Sequence, residues 1–151
     1  MGVVEPGTPA PGFSLAREDG SRLTNDDLRG QTSVLVFYPF AFSPVCTDQL
    51  NLYEELVDDF RAQGATLYAV SCDATHSQRA FREQLGVSIE QLSDFEPKGE
   101  ACRAFGVYHP GGFPQRALVI IDPEGIVKWS HQAETPGELP GANLIFDGLA
   151  A

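Results

Sequence analysis

The stretch SVLVFYPFAFSPVCTDQL, residues 33–50, holds the change of period that decides how this chain folds. Its first six residues are β-branched and aromatic with almost no polar interruption, which suits a strand buried on both faces. Pro39 ends that strand. Ser43 then suits an N-cap and Pro44 the N1 position, and Leu50, Tyr53, Leu56, Val57 and Phe60 recur at helical spacing until Gly64 supplies a stop. A buried strand, a proline-bounded loop and a long helix carrying Cys46 in its first turn open a β-α-β unit.

Working outward, TLYAVS (66–71) reads as the next strand and SQRAFREQLG (77–86) as the next helix, with a shorter helix over Lys98 to Phe105 stopped by Gly106. ALVIID (117–122) and IVKWS (126–130) flank a Pro-Glu-Gly turn and predict a hairpin, and ANLIFDGLAA (142–151) predicts a closing amphipathic helix. Before the decisive stretch, FSLARED and SRLT around Gly20 predict another hairpin, and Asn25 is placed to cap the short segment DDLRG. This order gives an α/β, thioredoxin-like fold: a central mixed β-sheet flanked by helices, with an N-terminal β-hairpin, in a single domain spanning 1–151.

Composition narrows the function. A net charge of −11 repels a phosphate backbone, and ten Lys plus Arg, scattered along the chain, form no basic stripe, so neither nucleic acid nor an anionic membrane surface is an expected partner. No apolar run approaches the roughly 20 residues that cross a bilayer. The amino-terminal MGVVEPGTPAPG lacks the basic and apolar regions of a signal peptide, and the expected compartment is the cytosol. Three widely spaced cysteines, with no CxxC and no Cys/His pair at ligand spacing, point to free thiols and disfavour structural zinc.

With Ser43 as N-cap, Cys46 falls at N3, where a capping box usually carries Glu or Gln as an acceptor. An anion there gains from the helix dipole and the unpaired N–H donors, so a thiolate could take that place. Ser43 adds a hydroxyl three residues away, able to donate to the sulfur or to an incoming oxygen. Pro39 and Pro44 stiffen the loop on either side of the apolar FAF segment, shielding the sulfur behind a small opening. On spacing alone, Cys46 fits a reactive thiolate and a small buried hydrophobe equally well.

The segment from Pro39 to Cys46, PFAFSPVC, resembles the PxxxTxxC or PxxxSxxC motif of peroxiredoxins. PGTPAPGFSL, LSDFEPKGEACRAFGV and RALVIIDPEGIVKW extend the resemblance over nearly the whole chain, and SDFEPKG with the short tail is most similar to the AhpE-type one-Cys branch. The resemblance implies a thiol-dependent peroxidase, reducing hydrogen peroxide, organic hydroperoxides or peroxynitrite, with no cofactor. It implies Cys46 as the peroxidatic nucleophile, Pro39 as its shield, Ser43 as a hydrogen-bond partner of the peroxide, and Arg116 as the cation that holds the thiolate and polarises the oxygen-oxygen bond. Without it, Arg116 is one of eight arginines and reads as a solvated strand flank.

One position departs from the pattern: Gln49 stands where the family commonly carries Glu, so an amide replaces a charge beside the arginine. Asp48 faces another side of the helix. Cys72, at a strand end, and Cys102, mid-helix, read as core thiols, with either able to resolve a Cys46 sulfenic acid as an intramolecular disulfide if a segment unwinds; Asn51 stands where a resolving cysteine five residues past Cys46 would be. The expected cycle is therefore one-Cys, closed by an external thiol or a thioredoxin- or mycoredoxin-like reductant, in a homodimer or higher homo-oligomer. His76, His109 and His131 read as surface or locally bonded residues. A redox-sensing or binding module with slow turnover is the competing reading. A disulfide oxidoreductase is disfavoured because Ser43 stands where CxxC needs its first cysteine.

Overall fold

A computed structural model describes residues 2–151. Two short strands, β1 (Ser14–Ala16) and β2 (Arg22–Thr24), form the N-terminal hairpin. The 3-10 turn Asn25–Leu28 that follows is capped by Thr24, whose backbone N–H donates to Asp27. Asn25, expected as the cap, instead accepts from the Phe13 N–H and donates to the Pro11 carbonyl, pinning the entry segment beside the hairpin.

The strand read from the decisive stretch is β3 (Thr32–Phe37). The predicted long helix is two: α1 (Pro44–Glu55) and α2 (Val57–Ala62). Leu56 breaks it, leaving helical backbone angles at φ −112°, ψ 9° while its N–H turns to the Tyr53 carbonyl. Next come β4 (Ala65–Ser71), α3 (Thr75–Leu85), β5 (Glu90–Ser93) and α4 (Glu100–Ala104). A two-stranded ribbon, β6 (Tyr108–His109) with β7 (Phe113–Pro114), precedes the hairpin β8 (Ala117–Ile121) and β9 (Val127–Gln132) and the last helix, α5 (Ala142–Ala150).

Seven strands form one sheet in the order β2-β1-β5-β4-β3-β8-β9. β3, β4 and β5 run parallel and are linked by helical crossovers; β8 lies antiparallel to β3, so the sheet is mixed. Strand β5 escapes a hydrophobicity reading because two of its four residues, Gln91 and Ser93, are buried polar groups. Each is satisfied: Gln91 accepts from the Tyr38 hydroxyl at 2.7 Å, and Ser93 donates to the Asp73 carbonyl.

Alternation along the strands divides the core. Val34, Val36, Leu118 and Ile120 face one side, under α1, α2, α3 and α5. Leu35, Phe37, Val119 and Ile121 face the other, under α4 and the N-terminal segment. Cys46 belongs to the first layer, Cys72 and Cys102 to the second. Among the described residues no helix is long and apolar enough to cross a membrane.

Phe105 anchors the second layer, fully buried with its ring 5.5 Å from Phe37 and 5.6 Å from Phe13. Truncation to Ala empties a site lined by rings that cannot collapse into it, at a cost of about 3–5 kcal/mol. Urea unfolding of Phe105→Ala is expected to show that loss in the midpoint with an unchanged slope.

Candidate active site

Ser43, at φ −72° and ψ 151°, ends the loop after β3, and Pro44 opens α1 with the fixed φ that N1 favours. Cys46 is thereby the third helical residue, as the capping pattern predicts, and is fully buried. No side-chain cap bond forms: the Ser43 hydroxyl donates to the Phe40 carbonyl at 3.0 Å. The sulfur therefore takes its donor from Arg116 and not from the serine expected to reach it.

Arg116 stands one residue before β8, in the strand next to β3, and is 2% exposed. Its guanidinium spends its fork on three partners. Nη2 donates to Cys46 Sγ at 3.2 Å, Nη1 to Gln49 Oε1 at 2.6 Å, and Nε to the Pro136 carbonyl at 2.7 Å. Gln49 and Pro136 are neutral acceptors, so the sulfur is the hydrogen-bond partner able to carry a compensating negative charge. Asp48 is exposed and takes no part.

The sequence reading flags Gln49 but assigns no site role to Tyr53 or to the Pro136 and Pro140 carbonyls. Gln49 donates through Nε2 to the Tyr53 hydroxyl at 3.2 Å, and Tyr53 donates onward to the Pro140 carbonyl at 2.7 Å. Tyr53 reads in the sequence as one more apolar helix position. The available signal is its spacing of seven from Cys46 and four from Gln49, which puts all three on one helix face. Pro136 and Pro140 contribute only backbone carbonyls, which carry no sequence signal.

Pro39, Phe40, Ser43, Pro44, Val45, Phe113, Arg116, Pro136 and Gly137 line an open cleft of about 270 Å³, and its Arg116 also donates to the buried Cys46 sulfur. The four residues singled out from the sequence, Cys46, Arg116, Ser43 and Pro39, thus meet at one place. The loop that roofs it is fixed from below. Ala41 donates its N–H to Asp73 at 2.8 Å, and Phe40 and Phe42 pack on Phe113 and Phe81 with centroids at 4.9 and 5.2 Å. These contacts hold Phe42 at φ 70°, a left-handed conformation that a bulky residue adopts only under such constraint.

The histidines lie elsewhere: His76 is exposed, His109 stacks on Phe113 and accepts the Gly111 N–H, and His131 stacks on Trp129. The set at the cleft is a buried thiol, a permanent cation and an open, largely apolar approach. That set serves nucleophilic sulfur chemistry in which charge moves from sulfur to a leaving oxygen.

A family model described as the AhpC/TSA family matches residues 6–130. Alkyl hydroperoxide reductase E of Mycobacterium tuberculosis is 30% identical over 151 residues, covering 99% of this chain and 98% of that protein. A peroxiredoxin of Thermotoga maritima is 33% identical over 128 residues, 81% of this chain and 60% of that protein. The crystal structure of Enterococcus faecalis AhpC matches with a TM-score of 0.86 and 26% identity, covering 99% of this chain and 92% of that one. Peroxidoxin BcpB of Mycobacterium tuberculosis shares the fold at a TM-score of 0.82 and 24% identity, with 97% and 95% covered. The fold is thioredoxin-like, as the element order predicts.

Burial pushes the Tyr53 hydroxyl up to about 12, against the opposing pull of Gln49 and Arg116. An unfolded tyrosine ionises near 10, so the unfolded chain releases its proton first as pH rises. The stability contributed by the neutral buried phenol is therefore full below about pH 10 and declines toward about pH 12. Between those limits Tyr53→Phe is expected to lose about 2 kcal/mol less than the parent protein, read from urea midpoints across that range.

Proposed function

The chain belongs to the AhpC/TSA family of peroxiredoxins, and from that membership we propose a thiol-dependent peroxidase whose nucleophile is Cys46. The observation that carries the residue assignment is the 3.2 Å hydrogen bond from Arg116 Nη2 to the buried Cys46 sulfur beneath an apolar cleft.

In this reading the Cys46 thiolate attacks the terminal oxygen of a hydroperoxide. The S–O bond forms as the O–O bond breaks, and the departing oxygen leaves as ROH after taking a proton. Arg116 stays charged throughout, so it stabilises negative charge on sulfur before attack and on the leaving oxygen after it. Gln49 and the Pro136 carbonyl hold its plane in register with the sulfur. Pro39 and Ser43 shape the approach, with the Ser43 hydroxyl exchanging its Phe40 carbonyl for the bound peroxide. Cys46 is left as a sulfenic acid.

An external thiol then attacks that sulfur, expelling water, and a second thiol releases the resulting mixed disulfide. The net change is ROOH plus two thiols to ROH, water and a disulfide. Cys72 and Cys102 lie across the sheet from Cys46, which supports an external reductant, a small thiol or a thioredoxin- or mycoredoxin-like protein. We assign the activity to one domain spanning 1–151 and to the cytosol, where free thiols persist.

Cys46→Ser is expected to abolish fast thiol-dependent peroxide turnover at this site, whereas Cys72→Ser and Cys102→Ser keep multiple fast turnovers with a supplied thiol. Arg116→Ala should lower kcat/KM for peroxide by about a hundredfold, the scale of a lost donor to developing charge. Undiminished peroxidase activity in the Cys46 variant would overturn the assignment.

Phe40 and Phe42, 47% and 49% exposed beside the cleft, support a homodimer or larger ring that covers them. Light scattering over a hundredfold concentration range is expected to return at least a dimer mass. A monomer throughout refutes this part of the proposal.

A further inference from the structure

On the face of the sheet turned away from Cys46, two thiols and a carboxylate meet that the peroxidase chemistry leaves unused. Cys72 follows the last residue of β4, Asp94 follows the last residue of β5, and Cys102 sits in the middle of α4. Their two sulfurs and a carboxylate oxygen all lie within 4.8 Å of one another. All three residues are buried: Cys102 is 0% exposed, Asp94 4% and Cys72 8%.

One residue fixes the pair. The Asp94 N–H donates to the Ser71 carbonyl at 2.8 Å, next to Cys72 in the chain. The Asp94 carboxylate accepts the N–H of Ala101 at 3.1 Å and of Cys102 at 2.8 Å, capping the start of α4. Cys72 and Cys102 are thirty positions apart, yet each is one or two hydrogen bonds from the same aspartate. Their closeness is thus built by the backbone and does not rest on a chance pair of rotamers.

We propose that Cys72 and Cys102 form a second redox centre, a buried dithiol that a hydroperoxide converts to an intramolecular disulfide independently of Cys46. The side chains need only swing their sulfurs from this separation to the roughly 2.05 Å of an S–S bond.

The step balances without any further reactant. The Cys72 thiolate attacks the terminal oxygen of ROOH; the S–O bond forms, the O–O bond breaks, and ROH leaves carrying the proton Cys72 gave up. The Cys102 sulfur then attacks the Cys72 sulfur; the S–S bond forms and the S–O bond breaks, and the hydroxide departs with the Cys102 proton as water. Two thiols and ROOH become a disulfide, ROH and water.

The order of attack follows from the surroundings. Cys72 is the more exposed sulfur, and the Cys102 S–H facing it holds its thiol below the ordinary range, with the Lys98 charge assisting against burial. The same contact and burial push the Cys102 thiol up, which keeps it protonated until its partner is oxidised.

The alternative occupant of such a cluster is a divalent metal. Both Asp94 oxygens already accept backbone N–H groups of α4, and among the described residues the cluster offers three ligands where a structural zinc takes four. The dithiol reading is the one these contacts favour.

The test uses full-length Cys46→Ser protein, so that neither success nor failure depends on the peroxidase assignment. Its two remaining thiols are titrated in denaturant before and after excess hydrogen peroxide, followed by a non-reducing peptide map and metal analysis of the protein as purified. The expected result is two thiols before and none after, a monomer lighter by two hydrogens, a linked peptide pair joining Cys72 to Cys102, and full reversal by dithiothreitol. Adding Cys102→Ser should leave Cys72 as a sulfenic acid captured by dimedone; if that double variant does not fold, the peptide map of the single variant still decides. Two thiols surviving peroxide, oxidation of Cys72 without a link, a link between chains, or stoichiometric zinc bound at the pair would each overturn the proposal.

Discussion

A guanidinium with almost no access to water is costly unless its donors are met, and Arg116 is met by two segments that are remote from it in sequence. Helix α1 supplies Cys46 and Gln49, and the segment after β9 supplies the Pro136 carbonyl, while the arginine itself stands just before β8. The segment after β9 is tied a second time, since the Ala133 N–H donates to the Arg116 carbonyl at 2.9 Å. Tyr53 adds a third tie, reaching the Pro140 carbonyl from the helix. Breaking any one leaves a buried donor or acceptor open, a penalty of about 1–3 kcal/mol that the neighbours cannot relieve by moving alone. The geometry around the sulfur is rigid because the arginine's solvation depends on it.

The sheet does a second job by keeping chemistries apart. Because successive residues of β3 point to opposite faces, the layer holding Cys46 and the layer holding Cys72 and Cys102 share a backbone but no apolar contact surface. Hydrogen bonds at the end of β4 tie the loop over the Cys46 side to the residues next to Cys72. Asp73, next to Cys72, accepts the Ala41 N–H of the roof loop and the Ser71 hydroxyl, which in turn accepts from Gln78.

Elements whose burial follows a single period were legible in the chain. The all-apolar runs of β3, β4 and β8 announced central strands, Pro44 at N1 announced the start of α1, and Gly20 and the Pro-Glu-Gly turn announced the two hairpins. What was not legible depended on long-range pairing. Strand β5 looks polar because Gln91 and Ser93 find partners just past β3 and β4 rather than because they face water. The break at Leu56 and the capping by Thr24 instead of Asn25 are set by neighbours packed against them. At the site, helix capping and proline placement singled out Cys46, Ser43 and Pro39, family resemblance alone named Arg116, and helix periodicity could have nominated Tyr53; backbone carbonyls such as Pro136 leave no trace in residue identity. Gln49 was flagged as a departure, but its reach to both Arg116 and Tyr53 needed coordinates.

Placing an amide where a carboxylate is usual has a consequence over the catalytic cycle proposed for this chain. With the sulfur as a thiolate, the pocket around Arg116 is neutral overall; with the sulfur as an uncharged sulfenic acid, it carries a single uncompensated positive charge under a low-dielectric roof. In that proposed cycle the thiolate pocket would show no net charge to a neutral peroxide, and the oxidised pocket would attract an anion. Under the same proposal, a reductant arriving as a thiolate would meet that positive charge only after oxidation, against the net charge of −11 carried by the chain as a whole. One buried side chain would then separate the substrate and reductant stages by charge alone.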